Sequence, residues 1–203
     1  MNKKVVSFLA SGRGSNFKAV AERIIAGAVP ARLGILISDK KDAKALDIAR
    51  SFGMDAYFVD PKTCTGRREH EDAMIRLFKR HDTDLIVAAG YMRVLTDHFV
   101  KEYRNRIINI HPALLPSFPG VQAQRQALEY GVKITGCTAH FIDEGTDTGP
   151  IILQSAVSVR EDDTEDSLSA RILSEEHRIL PEAVKLFCEN KLSVRGRKVI
   201  ISR

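Results

Sequence analysis

Three stretches of the 203-residue chain carry side chains whose types and spacing suit group-transfer chemistry. Asn109-Ile110-His111-Pro112 sets an amide and an imidazole two positions apart, so on an extended segment both point to one side. An amide N–H beside an imidazole is what a carbonyl oxygen needs as it gains negative charge during acyl transfer. Pro112 and the following Leu114-Leu115-Pro116 stiffen the backbone there. Asp147 lies in Asp143-Glu144-Gly145-Thr146-Asp147-Thr148-Gly149-Pro150, a loop shaped by two glycines and a proline. A carboxylate reaching His111 from this loop would orient the ring, favour its charged form and relay a proton through water. Acidic loop residues also serve as plain turn formers, and spacing alone does not join 111 to 147.

The third stretch is Ser11-Gly12-Arg13-Gly14-Ser15-Asn16. Its glycines allow a tight turn, and N–H groups at a helix start grip phosphate with help from the helix dipole. Ser11, Ser15 and Asn16 add side-chain donors. The run is not GxxxxGK[ST], which argues against nucleoside triphosphate chemistry. It is not a full GxGxxG either, because Phe17 stands three after Gly14. Asp39 nevertheless follows the second strand, where a ribose-binding acid sits in dinucleotide folds. Taken alone, the turn reads as a phosphate site or as a capped turn without a ligand.

These groups need elements to hold them. Lys4–Leu9, Arg32–Ile37, Asp55–Val59, Leu85–Ala89 and Arg106–Ile110 are compact apolar runs that predict strands. Between them, Phe17–Ala26, Ala43–Phe52 and Glu69–Arg80 have helical apolar spacing, the second closed by Gly53. Further on, Val121–Tyr130 predicts a helix, and Gly136–Ile142 and Pro150–Val157 predict strands. Leu168–Phe187 predicts a long helix disturbed near Pro181, and Lys198–Ser202 a last short strand. Repeated β-α-β units with strands apolar on both faces predict an α/β fold. The expectation is one Rossmann-like, three-layer domain over residues 1–203, with a mostly parallel central sheet flanked by helices.

Composition excludes several classes. Hydrophobic residues make up 44% and charged residues 28%, the balance of a folded chain rather than a disordered one. No apolar run approaches the roughly 20 residues of a membrane helix, and Val5–Ala10 runs straight into Ser11-Gly12 without a cleavage signature. Three scattered cysteines, Cys64, Cys137 and Cys188, form no CxxC pair, which suits a reducing cytoplasm. No Cys/His spacing matches a zinc site, so no metal is expected. The net charge of +5 is spread along the chain without a basic, aromatic-studded stripe. The expectation is a surface tolerant of small anions, not one for nucleic acid.

The stretches SGRGSN at 11–16, AAGYMRVL at 88–95, NIHPALLPSFPG at 109–120, GCTAHF at 136–141 and DEGTDTGPII at 143–152 together resemble the phosphoribosylglycinamide formyltransferase family. The resemblance implies transfer of the formyl group of 10-formyltetrahydrofolate to the amine of glycinamide ribonucleotide in purine synthesis, by a cytoplasmic monomer or weak homodimer. It also implies a nucleotide-binding N-terminal half and a folate-binding, catalytic C-terminal half. By the same resemblance, Asn109, His111 and Asp147 are catalytic. Asn109 and protonated His111 would donate to the developing oxyanion, and Asp147 would move the amine proton. Gly12, Arg13, Gly14, Ser15, Asn16, Met92, Pro112 and Glu176 would hold the ribonucleotide. Arg68, Arg93, Val94, Leu95, Asn109, Asp143, Glu144 and Asp147 would hold the folate, with Arg68 toward its glutamate tail. Arg13 and Leu173 depart from residues common in the family at those positions. The alternatives are a hydrolase of the same formyl donor, another folate-dependent formyltransferase such as one acting on methionyl-tRNA, and a nucleotide-binding module without catalysis or an NAD-binding dehydrogenase fragment.

Overall fold

The computed structural model describes residues 3–202. In chain order it contains β1 (Lys4–Leu9), α1 (Ser15–Ile25), β2 (Ala31–Ser38), α2 (Lys44–Ser51), β3 (Ala56–Phe58), a 3-10 turn (Pro61–Thr63), α3 (Arg67–Arg80) and β4 (Leu85–Ala88). There follow α4 (Asp97–Glu102), β5 (Ile107–His111), α5 (Ala123–Tyr130), β6 (Ile134–Phe141), β7 (Ile151–Ser158), α6 (Glu165–Cys188), β8 (Leu192–Arg195) and β9 (Lys198–Ile201).

Period-two alternation sorts the strand side chains into two cores. Val6 and Phe8 of β1, Leu85 and Val87 of β4, and Ile108 and Ile110 of β5 pack against α1, α2 and α6. Leu9, Ile86, Ala88 and Ile107 face the other way, against α3 and α4. The result is the three-layer α/β arrangement that the sequence predicts, since strands buried on both faces need helices on both. The strand order is β3-β2-β1-β4-β5-β6-β7-β9-β8. The first five of these run parallel. β6 is antiparallel to both its neighbours, β9 is parallel to β7, and β8 is reversed at the edge.

Besides the 3-10 turn, two elements lie outside the sequence expectations, and one runs on where a disturbance is expected. α4 is six residues long with only Phe99 and Val100 buried, too short to declare a period. β8 alternates half-buried Leu192 and Val194 with exposed neighbours over four residues. α6 begins at Glu165, ahead of its apolar pattern, because Thr164 and Ser167 form a reciprocal capping box. It then continues through Pro181 to Cys188. Pro181 and its neighbours Leu180 and Ala183 are buried, and this packing carries the helix past the missing N–H.

The chain leaves β1 toward β2 on one side and later adds β4 on the other, so the loops after β1 and β4 diverge. In parallel sheets a crevice for ligands opens at such a switch point. The glycine turn at 11–16 and the segment at 89–95 both emerge there, joined by Ser11 N–H donating to Gly90 O at 3.0 Å. Gly14 makes this corner possible. It has φ 75°, and a Cβ on it would lie 2.8 Å from Ala45 Cβ at the start of α2. Gly27 has nearly the same φ, 74°, with no heavy atom within 4 Å of such a Cβ. In urea denaturation, Gly27→Ala is expected to lose about 1 kcal/mol for the left-handed backbone alone. Gly14→Ala is expected to lose about 2–4 kcal/mol, because overpacking adds to the same backbone cost. Equal losses would contradict the close approach of α1 and α2.

Candidate active site

The antiparallel register of β5 and β6 sets Asn109 opposite His140 and His111 opposite Thr138. His140 Nδ1–H donates to the Phe141 carbonyl at 2.9 Å, so Nε2 of the neutral ring keeps a lone pair. Asn109 Nδ2–H donates to that lone pair at 3.2 Å. Burial holds the His140 pKa below the ordinary imidazole value, while the Phe141 carbonyl and Asp147 oppose the shift. A neutral His140 therefore fixes the Asn109 amide by one N–H and leaves the other for a ligand.

The Asp147 carboxylate does reach the imidazole at 111. Its Oδ2 lies 3.3 Å from His111 Nδ1 and accepts a 2.8 Å hydrogen bond from Gly120 N–H. Its Oδ1 lies 3.7 Å from His140 Nε2. His111 is only 3% exposed. Its Nε2–H donates to the Phe118 carbonyl at 2.8 Å. Both nitrogens of His111 thus face protein oxygens. This differs from the expectation that His111 donates directly to an oxyanion. The loop after β5 folds back, with Phe118 and Gln122 at φ 53° and 58°, and takes that N–H for itself. Asn109 is the member of the trio with a side-chain donor to spare.

A cavity of about 300 Å³ opens beside these groups. Met92, Arg93, Val94 and Leu95 line it from the segment after β4, Asn109, His111 and Pro112 from the end of β5, and Asp143 and Asp147 from the loop before β7. Met92 and Val94 are 71% and 58% exposed, so the rim offers apolar surface to a ligand. Arg68 and Glu144 lie outside this cavity, in an adjoining open groove with Arg67, His98 and Lys101 that shares Val94 and Leu95. Thr96, just beyond the rim, is tied down by its N–H donating to the buried Glu71 at 2.8 Å.

Of the ribonucleotide candidates, Met92 and Pro112 line this cavity, and the others gather elsewhere at the same crevice. α1 has no side-chain N-cap and no acidic residue in its first turn. Lys18 N–H bonds back to Gly14 O at 2.8 Å, which leaves the N–H groups of Ser15, Asn16 and Phe17 outside the helical ladder. Gly12 and Arg13 are exposed beside them. Asn16 Nδ2–H donates to Glu176 Oε2 at 2.7 Å, while Asn16 Oδ1 is buried without a partner among the described residues. Burial raises the Glu176 pKa, and the bond from Asn16 opposes the rise. Leu173 is half-buried one turn before Glu176 in α6. Asp39 is buried and takes Ser11 Oγ–H at 2.6 Å, and Ser11 Oγ in turn accepts Met92 N–H at 2.9 Å. That chain of bonds joins the glycine turn to the cavity wall. Sequence reasoning misses His140 and Gly120. A histidine inside the apolar run GCTAHF is the one available signal for the first, and nothing local marks the second.

A family model described as formyl transferase matches residues 3–184. A phosphoribosylglycinamide formyltransferase from Bacillus subtilis is 41% identical over 182 residues, 90% of this chain and 93% of that protein. The crystal structure of glycinamide ribonucleotide transformylase 1 from Symbiobacterium toebii matches with a TM-score of 0.97 at 46% identity, covering 99% of this chain and 95% of that one. A formyltetrahydrofolate deformylase from Pseudomonas syringae matches at 0.92 with 26% identity, covering 100% of this chain but 67% of that one.

The Asn16–Glu176 pair generates a stability test. A carboxyl whose folded pKa is raised costs nothing below its ordinary value of 4.5 and destabilises progressively as pH rises through the folded value. Glu176→Gln removes that charge, keeps an acceptor for Asn16 and offers an N–H to its unpartnered Oδ1. The variant is expected to melt above the parent at pH 7, with the gap shrinking toward pH 4.5. A gap that is absent, or that grows on acidification, would contradict the assignment.

Proposed function

The chain belongs to the formyl transferase family, and on that premise we propose that it transfers the formyl group of 10-formyltetrahydrofolate to the amine of glycinamide ribonucleotide, a step of purine synthesis. The observation that carries the reading is the Asp147 carboxylate 3.3 Å from His111 Nδ1, beside a cavity that Asn109 also lines. Kinship with the Bacillus subtilis formyltransferase over 93% of that protein favours the transferase over the hydrolase. The three free thiols suit a reducing compartment.

The residues present fit both substrates. The uncapped start of α1 with Gly12, Arg13, Gly14 and Ser15 suits a phosphate. Glu176 and the unpartnered Asn16 Oδ1 are acceptors for hydroxyl and amide hydrogens of a ribonucleotide. Met92 and Pro112 line the cavity where the glycinamide end would enter. Val94 and Leu95 supply an apolar wall for a flat ring, and Arg93, Asp143 and the Asp147 loop supply polar edges. The groove with Arg68 and Glu144 would receive the tail of the folate, its cations facing the tail carboxylates.

Bound there, 10-formyltetrahydrofolate supplies a formyl carbon on N10. A neutral amine attacks that carbon, the bond from the carbon to N10 breaks, the amine loses a proton and N10 gains one. Asn109 Nδ2–H donates to the formyl oxygen as it gains charge, and His140 keeps that amide from turning over. His111 faces Asp147 through Nδ1 and holds that carboxylate in place beside the same oxygen. Asp147, directly or through one water, takes the amine proton and returns it toward the folate nitrogen.

An absorbance assay separates the readings. Loss of the 10-formyl folate only when glycinamide ribonucleotide is present supports the transferase. Loss without it supports the hydrolase, and no loss leaves a binding module. Asn109→Ala is expected to cost about 3–4 kcal/mol of transition-state stabilisation, as removal of one oxyanion donor does. Asp147→Asn is expected to keep substrate binding while turnover collapses; near-normal turnover would remove Asp147 from the mechanism.

A further inference from the structure

The loop that carries Asp147 is tied to a part of the chain that the chemistry above does not use. Asp147 has φ 53°, a left-handed conformation that non-glycine residues keep only where neighbouring contacts over-determine it. On its side-chain side the restraint is Gly120 N–H, donating to Oδ2 at 2.8 Å. On its chain side it is Arg197, whose Nη2–H donates to the Thr148 carbonyl at 3.0 Å. At the base of the loop Gly149 packs so tightly that a Cβ there would lie 1.8 Å from Phe141 O. Arg104 pairs with Glu144 at the other end, so two arginines from distant elements straddle Asp147.

Arg197 sits in the turn between β8 and β9. The first residue of β9, Lys198, pairs with Ile151 at the start of β7, and this seats the hairpin beside the exit of the loop. The hairpin lies beyond residues 3–184, where the family match ends.

We infer that Arg197 is a positioning residue. Presented by the β8–β9 hairpin, it fixes the peptide after Thr148 and so keeps the strained Asp147 backbone from relaxing away from His111. A guanidinium donor suits this task, since a carbonyl in a solvent-facing loop otherwise exchanges its partner for water, and a charged donor holds it more firmly.

The kinetic part of the inference rests on the formyl-transfer reading, whereas the loop-order part does not. The test compares the full-length parent with Arg197→Ala and Arg197→Lys by hydrogen exchange of peptides covering 143–149, by steady-state kinetics and by thermal melting. In Arg197→Ala, loop exchange is expected to quicken by about three- to tenfold. Its kcat is expected to fall by a similar factor, with the KM for glycinamide ribonucleotide and the melting temperature unchanged. Arg197→Lys, which keeps a charged donor, is expected to recover part of both effects. Unchanged loop exchange in Arg197→Ala would overturn the inference. So would a kcat loss accompanied by a matching fall in melting temperature, which marks a purely structural role. If the parent itself transfers no formyl group, the functional reading fails, and the exchange measurement still decides whether Arg197 orders the loop.

Discussion

One carboxylate is held among groups from three parts of the chain. Asp147 Oδ2 takes the Gly120 N–H and faces His111, and Oδ1 faces His140. Such a group keeps its orientation only while every partner stays put, because it is largely buried and its backbone is held at positive φ. Asn109 depends on the same arrangement at one remove. Its amide is oriented by a histidine that burial keeps neutral, and Asp147 is the nearby charge that works against that neutrality. Shifting the carboxylate would disturb the imidazole at 111 and the amide at 109 together.

The sheet explains how residues 38 positions apart come to share one cavity. β5 ends at His111 and β6 returns alongside it in the opposite direction, so β6 ends beside the start of β5, with Phe141 opposite Ile108, and the loop that follows turns back to bring Asp147 within 3.3 Å of His111 Nδ1. The parallel half of the sheet contributes the other wall. The switch point between β1 and β4 opens the crevice, and the bonds from Asp39 to Ser11 to Met92 fasten the glycine turn to the cavity rim. The two substrates of the proposed reaction would thus be served by loops that are themselves bonded to each other.

Much of this was legible in the residue order, for local reasons. Apolar runs such as Leu85–Ala89 and the helical stripe of Glu69–Arg80 announce elements whose packing is set by their own pattern. The glycine turn, Asn109-Ile110-His111 and the glycine-rich Asp147 loop are each short enough to read directly. What escaped reading depends on pairing over distance. His140 matters because of its register against Asn109, and no local rule supplies that register. The N–H of His111 goes to Phe118 because of positive φ at Phe118 and Gln122, residues without the glycine that would flag such a turn. Asn16 and Glu176 meet across 160 positions. α4 and β8 are too short for periodicity to speak.

The proposed mechanism requires Asn109 and Asp147 to face the reacting atoms from the cavity wall. A crystal structure of the protein with glycinamide ribonucleotide and an unreactive analogue of 10-formyltetrahydrofolate examines this most directly. That mechanism requires Asn109 Nδ2 within hydrogen-bond reach of the formyl-equivalent oxygen. It also requires the Asp147 carboxylate on the glycinamide amine, directly or through one water, with the phosphate at the start of α1. Ligands bound with the amine turned away from Asp147, or with the phosphate distant from Gly12–Asn16, would contradict it.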